Sequence, residues 1–266
     1  MTADHWAEAE AAATAAGVEV EPLESLQDAT AITDVMLATW GDHQEVPREM
    51  LRALQESGNL PWGAFHNGRL IGYVLGWLGS DAEGIHVHSH MLAVDGEWQS
   101  QGVGYALKLA QRAAALDQGV RLVRWTFDPA NARNAYFNMA KLGASADGFH
   151  RNFYGDMEDV LNRGERSDRL VARWELDRVD PGPAADDGWV VVDRAGPEDR
   201  PEPTPVKAPG SGPAIVRIPE SYRGLREADP ELGERWRDAI AEGIEACFAA
   251  GLRVTGFSSS FSYVFA

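Results

Sequence analysis

Apolar and polar positions change their period several times along this chain, and each change marks an element. From Thr2 to Gly17 the chain is rich in Ala and Glu, which predicts a frayed helix or a tail ordered by contact. Val18 to Leu23 alternates as a strand does. From Asp28 or Thr30 to Trp40 the spacing becomes helical, with Ile32, Val35, Met36 and Thr39 on one face. Pro47 suits a helix start, and a second helix runs to Gln55. Pro61–Phe65 and Leu70–Leu78 are apolar runs joined by His66-Asn67-Gly68-Arg69. Asn-Gly at that point predicts a hairpin. Gly84–Val94 continues as a strand, Gly102–Leu116 as a helix stopping near Gly119, and Val120–Phe127 as a strand. Asn131–Leu142 is helical and closes at Gly143. Short strands are expected at Gly148–Tyr154 and Leu170–Leu176.

Composition shifts at Asp180. Eight prolines, from Pro181 to Pro213, punctuate an acidic stretch that reads as an extended linker or surface loop, with Trp189–Val192 adding a strand. After it come a strand at Ala214–Ile218, an amphipathic helix around Leu232–Ala249 and a strand at Arg253–Phe257. That last piece is too small to stand alone, so it is expected to dock on what precedes it. The resulting division is 1–17, 18–179, 180–213 and 214–266.

Charge removes several classes of partner. The 266 residues carry a formal net charge of -17 and no basic stripe, which argues against nucleic acid and against an anionic membrane surface. No apolar run is long enough to span a bilayer. The first residues, Met1-Thr2-Ala3-Asp4-His5, have neither a basic start nor an apolar core region, so a cytoplasmic location is expected. With one cysteine, Cys247, there is no internal disulfide and no Cys-clustered zinc site. Cys247 lies among Ile240, Ile244 and Phe248 at helical spacing and reads as core.

Candidate chemistry gathers mid-chain. Gln99-Ser100-Gln101-Gly102-Val103-Gly104 separates the strand end Met91-Leu92-Ala93-Val94 from the helix that opens at Tyr105. Glycines there allow close backbone approach, and the N–H groups of a helix start suit a diphosphate. Upstream, His86, His88 and His90 alternate along one face of the strand. An amine of pKa near 8 is only about one-tenth neutral at pH 7. A histidine base fits the task of removing its proton. The alternative is a set of structural histidines. A His-x-His-x-His zinc site lacks an adjacent carboxylate, and no metal is expected.

The element order resembles that of the GNAT acyltransferase superfamily from about Val18 to Leu176. Gln99-x-x-Gly102-x-Gly104 fits its acyl-CoA loop, and Leu92-x-Val94 precedes the loop at the usual offset. The resemblance implies an α/β (α+β) fold, a mixed and mostly antiparallel sheet flanked by helices, with the small C-terminal β-α-β unit docked on it. It implies an acetyl-CoA or succinyl-CoA cosubstrate held by Leu92, Ala93, Val94, Gln99, Ser100, Gln101, Gly102, Val103, Gly104 and Tyr105, with Asn131 and Asn134 completing the site. His88 and His90 stand where arylalkylamine acetyltransferases of the superfamily carry a His pair, which implies a catalytic role. The superfamily's usual tyrosine is replaced here by Met139. Tyr136, one turn earlier on the same helical face, is the candidate general acid, with Tyr154 as the other.

A narrower resemblance rests on Ser89-His90-Met91, Trp125-Thr126-Phe127-Asp128-Pro129, Asn152-Phe153-Tyr154-Gly155 and Ser167-Asp168-Arg169-Leu170. In the tail it continues through Ile218-Pro219, Trp236-Arg237 and Gly251-x-x-Val254-Thr255-x-Phe257. It points to a GNAT branch with relatives similar to amino-acid N-succinyltransferases. The expected activity is acyl transfer to the amine of a small molecule or amino acid, by direct transfer in a ternary complex. A homodimer is compatible with that reading. An acyl group or acceptor bearing a carboxylate would need a cation, for which Arg124, Arg133, Arg151 and Arg169 are candidates. Asp128 either orients the amine or caps a turn. A non-catalytic CoA-binding regulatory or interaction module is the alternative. A dinucleotide enzyme fits poorly, since the third glycine and the ribose-binding acid are missing.

Overall fold

The Ala-rich start is helical because its small side chains recur on one stripe and find a partner. The computed structural model, which describes residues 5–41, 46–160, 162–177 and 182–266, places α1 at His5–Ala16 with Ala9, Ala13 and Ala16 buried. The expected segment 1–17 thus begins on residues outside the described set, and so does the expected boundary at 179/180. The chain folds as two compact units, Met1–Trp125 with Met157–Glu165, and Thr126–Asp156 with Arg166–Ala266.

In the first unit α1 is followed by β1 (Glu19–Pro22), α2 (Leu26–Trp40), α3 (Arg48–Glu56), β2 (Trp62–His66), β3 (Arg69–Asp81) and β4 (Gly84–Val94). Then come α4 (Val103–Asp117) and β5 (Leu122–Phe127), whose last two residues enter the second unit. Strands β1 to β4 pair antiparallel in sequence order, and β5 joins β4 in parallel. The β2–β3 turn forms because Asn67 and Gly68 accept positive φ, 50° and 76°. Helix α2 starts earlier than its apolar stripe, at a capping box between Ser25 and Asp28.

Two apolar layers sandwich these strands. On one side Leu23, Ile32, Met36 and Leu51 pack with Tyr73, Leu75, Met91 and Ala93. On the other, Ala13, Ala16, Val103, Ala106 and Leu107 pack with Ala64, Ile71 and Val74. Each fully buried side chain of Leu or Met size stabilises by about 1.5–3 kcal/mol. Far from fraying, α1 is held on α4 by Trp6 Nε1 donating to Asp117 at 2.7 Å and by Arg112 pairing with Glu8 at 2.7 Å.

The second unit carries α5 (Ala132–Ala135), β6 (Ser145–His150), β7 (Arg169–Glu175), β8 (Trp189–Val192), β9 (Arg194–Ala195), β10 (Glu202–Pro203) and β11 (Ala214–Arg217). It ends with α6 (Tyr222–Ala228), α7 (Pro230–Ala249), β12 (Val254–Phe257) and β13 (Ser262–Phe265). Its strands lie in the order β7-β6-β12-β13-β11-β8, with β8 parallel to β11 and the other pairs antiparallel. The C-terminal piece is therefore joined edge to edge, through Val254 opposite Ala146. Val191 and Val192 of β8 are fully buried, so the Pro-rich stretch contributes a core strand. Lys207 N–H donates to the Val191 carbonyl at 2.9 Å, laying the following chain along β8.

Two local expectations need correction. The strand expected to reach Tyr154 stops at His150, because Asn152 (φ 48°) and Gly155 (φ 70°) turn the chain. The helix expected over 131–142 is α-helical only to Ala135, and Tyr136–Lys141 widens to π-helix. Neither α6 nor β13 is foreseen in the sequence pattern. The whole is nonetheless the expected mixed α/β fold, with a large, mostly antiparallel sheet flanked by helices.

Candidate functional site

Strands β4 and β5 part soon after they meet. They pair at Val87 with Val123 and at His88 with Arg124, while β4 continues to Val94. The cause lies on the opposite edge of β4. Against β3, Leu75 faces Met91 but Gly76 faces Ser89, so His90 is an extra, bulged residue. A bulge bends its strand and increases the twist, and this one turns the end of β4 away from β5. Only glycine fits at position 76, where a Cβ would lie 2.7 Å from the His88 carbonyl oxygen and 2.9 Å from Gln111 Nε2.

The bulge keeps the histidine pair together. Trp77 packs against His88 at 5.1 Å and against His90 at 4.9 Å between ring centroids, with the rings tilted, and the two imidazoles are 5.8 Å apart. His86 lies opposite Gly79, its Nδ1 3.9 Å from an Asp81 carboxylate oxygen. Burial pushes His88 down to about 4, helped by the neighbouring His90, His86 and Lys108 charges. Burial also lowers His90. The expectation of a base near neutrality is thus corrected: desolvation disfavours the charged ring.

The Gly-rich turn sits at the far end of β4. Ser100 and Gly102 take positive φ, 64° and 92°, and α4 begins at Val103 with no side chain capping Gly102. The first N–H groups of a helix have no partner within it, so this start is open to an anion. The buried side chain of Val103 anchors it in the α1–α4 layer. Gln99 turns its amide back to the Val94 carbonyl at 3.2 Å, and Gln101 does the same to Glu97 at 2.6 Å. Those side chains brace the turn and leave ligand contact to the backbone. An extended thioester arm with a diphosphate at one end fits this arrangement, with Leu92, Ala93 and Val94 on the parted strand and Gly102, Val103 and Gly104 at its end.

Sequence reasoning overlooked one residue here. Lys108 of α4 is 3% exposed, and its Nζ donates to Ser89 Oγ at 2.7 Å and Gln111 Oε1 at 3.3 Å. The same nitrogen lies 4.0 Å from the centre of the Trp125 ring on β5. Burial pushes its amine down to about 7. The signal available in the sequence was a cation inside the apolar stripe of α4, between Leu107 and Leu109.

In the second unit, Asn131 is the N-cap of α5, its side chain accepting from the Asn134 N–H at 3.1 Å. Asp128 caps the turn before it, accepting from Ala130 N–H at 2.9 Å, and is held by both Nη atoms of Arg237 at 2.5 and 3.1 Å. Tyr136 is half-buried at the start of the π-turn, and Met139 is fully buried. The π winding breaks the i, i+3 alignment expected between them. Tyr154 shares a 3.0 Å hydrogen bond between its hydroxyl and Thr126, with the Arg169 guanidinium 5.3 Å from its ring centre. Of the cations considered for a carboxylate, Arg124 pairs with Asp81, Arg151 with Glu245, and Arg169 donates to the Asp168 carbonyl. Cys247 is buried, its thiol pushed up to about 12, in keeping with a core role. Among the described residues no group of three or more His, Cys, Asp or Glu is arranged to hold a metal ion, and no helix is long and apolar enough to cross a membrane.

Residues 26–143 match the model of the acetyltransferase (GNAT) family. That segment is a GNAT acetyltransferase domain. It spans the parted strands, the Gly-rich turn and the π-helical segment, and the residues after 143 lie outside the match. Among solved structures, a probable acetyltransferase from Staphylococcus epidermidis ATCC 12228 superposes with a TM-score of 0.50 at 12% identity, covering 59% of this chain and 98% of its own. The ribosomal-protein-S18-alanine N-acetyltransferase from Escherichia coli gives 0.48 at 18% identity, covering 65% and 99%. Naa20 from Chaetomium thermophilum, in complex with a bisubstrate analogue, gives 0.49 at 21%, covering 59% and 86%. The first of these likenesses bears on the fold of the GNAT domain. No curated protein matches the chain.

Proposed function

We propose that this protein is an acyl-CoA-dependent N-acyltransferase that moves an acetyl or succinyl group to the amine of a small molecule or amino acid by direct transfer. The observation that carries this reading is the parting of β4 from β5 beside an uncapped helix start at Gly102. When bound, the thioester supplies an electrophilic carbonyl and a thiol leaving group. The backbone from Gln99 to Gly104 would hold the diphosphate, and the edge of β4 at Leu92–Val94 would pair with the amides of the arm. Asn131 and Asn134 are assigned to the rest of the cofactor contact.

His88 and His90 take the part of proton acceptors. Both rings are neutral at pH 7, so each presents an open nitrogen to an incoming ammonium. Passing a proton from an amine of pKa about 8 to a ring of pKa about 4 costs roughly 5 kcal/mol. Turnover should therefore rise with pH as the neutral amine accumulates, with the histidines accepting the proton as the bond to carbon forms. Tyr136 or Tyr154 would return a proton to the thiolate, which needs that help only modestly.

The weakness of His88 as a base also favours a second reading, a CoA-binding module without turnover. Two measurements separate them. Gly102→Asp should abolish CoA binding in calorimetry, since a side chain at positive φ is strained and its charge opposes the diphosphate. Undiminished affinity would remove the cofactor site. Thiol release from acetyl-CoA and succinyl-CoA, screened against amines and amino acids, should find a productive pair. Silence from every pair, with CoA binding intact, would leave the module.

A further inference from the structure

The GNAT match ends at residue 143, yet the loop that follows β5 within it is held by side chains from far beyond. Arg237 of α7 donates to both carboxylate oxygens of Asp128, at 2.5 and 3.1 Å. Its guanidinium is itself seated over the Tyr222 ring of α6, 4.6 Å from the centre. One residue after Asp128, the Pro129 carbonyl accepts from the Tyr263 hydroxyl of β13 at 2.9 Å. Tyr263 is fully buried, its ring edge-on to Phe257 of β12 at 4.9 Å between centroids. A two-point hold on a carboxylate fixes orientation as well as distance, and a buried hydrogen bond does the same for the carbonyl beside it.

The held residues run directly into α5. Asp128 accepts from the Ala130 N–H at 2.9 Å through its side chain and from the Asn131 N–H at 3.2 Å through its carbonyl. Asn131 in turn caps α5, accepting from the Asn134 N–H at 3.1 Å. A run of hydrogen bonds therefore leads from α7 to the two asparagines, within one compact unit. Helix α5 is a single turn before the π winding begins, too short to hold its own start in place. We propose that Arg237 and Tyr263 are positioning residues, through which the segment beyond the GNAT match sets residues 128–131 for the cofactor. The inference rests on the acyltransferase reading, which assigns Asn131 and Asn134 to CoA. It gives the C-terminal helix and strands a part in the site rather than a separate binding task.

The test uses the full chain in two variants. Tyr263→Phe removes one hydroxyl and keeps the ring packed, while Arg237→Lys keeps the charge and loses the two-point hold. Amide hydrogen exchange should quicken about tenfold at Ala130, Asn131 and Asn134 in each. Leu23 and Val120, whose N–H groups bond to the Pro61 and Ala115 carbonyls in the other unit, should keep their wild-type rates. Calorimetry should show CoA affinity about tenfold weaker in both variants. With any productive substrate pair, KM for acyl-CoA should change more than kcat. Unchanged exchange at the three amides overturns the proposal. So does an equal quickening throughout the chain, which would assign the effect to overall stability. Local quickening with CoA affinity intact overturns it as well, since the loop would then be held for something other than the cofactor. If wild type itself binds no CoA, the acyltransferase reading fails, and exchange alone decides whether these two residues hold the loop.

Discussion

At the scale of single residues, burial has set the chemistry of this protein more than hydrogen bonding has. His88 is the clearest case. In the folded chain it titrates at about 4, against 6.5 for the same ring when unfolded. Between those values the unfolded chain binds more protons, so stability should fall as pH drops from about 6.5 to 4, by at most about 3 kcal/mol. Urea unfolding at pH 7 and pH 4.5 should show a smaller loss in His88→Gln than in wild type; equal losses would place the effect elsewhere. For catalysis, replacing both His88 and His90 by Ala should lower kcat by about 10²–10⁴-fold. The loss should be largest on the acid side, where free amine is scarce, and an unaltered pH–rate profile would clear the pair. The types of these residues were legible in the sequence, as was their spacing from Gly102. Their protonation was not, because it is set mainly by burial, which comes from elements packed against β4.

Elements were legible wherever the period was long and its ends were marked. Strands β2, β3 and β4 and helices α2 and α4 follow from alternation, Asn67-Gly68 and Gly119. Starts and irregularities were harder. Ser25 and Asp28 begin α2 ahead of its apolar stripe, and Ser25→Ala should cost about 1 kcal/mol in chemical unfolding with the native spectrum kept. The bulge at His90 cannot be read from β4 alone, since it is a mismatch of register with β3. The π-turn at Tyr136 likewise leaves no mark in polarity. Asp128 was legible as a turn residue, but its partner Arg237, 6% exposed by side chain, lies more than a hundred positions later. Arg237→Met should destabilise the protein by about 3–5 kcal/mol, because it leaves a partly buried carboxylate without its cation. Asp128→Asn in the same background should recover part of that loss.

Across the whole molecule the charge of -17 is the dominant property, and it opposes the ligand proposed here. CoA is itself anionic, so long-range repulsion should slow encounter at low salt. Stopped-flow association should accelerate as ionic strength rises from about 0.01 to 0.15 M, where the Debye length falls from about 30 to 8 Å. A rate that falls with salt instead would reveal a local cationic funnel strong enough to outweigh the net charge. One quieter feature bears on how the protein behaves when crowded. Strand β8 ends its sheet, and such an edge is a template on which another chain can add itself. Here the chain around Lys207 lies along it, in a stretch where Pro201, Pro203, Pro205 and Pro209 have no N–H to offer a further strand. The Pro-rich stretch thus covers part of this edge, and shortening it should increase aggregation through the edge, as light scattering would show.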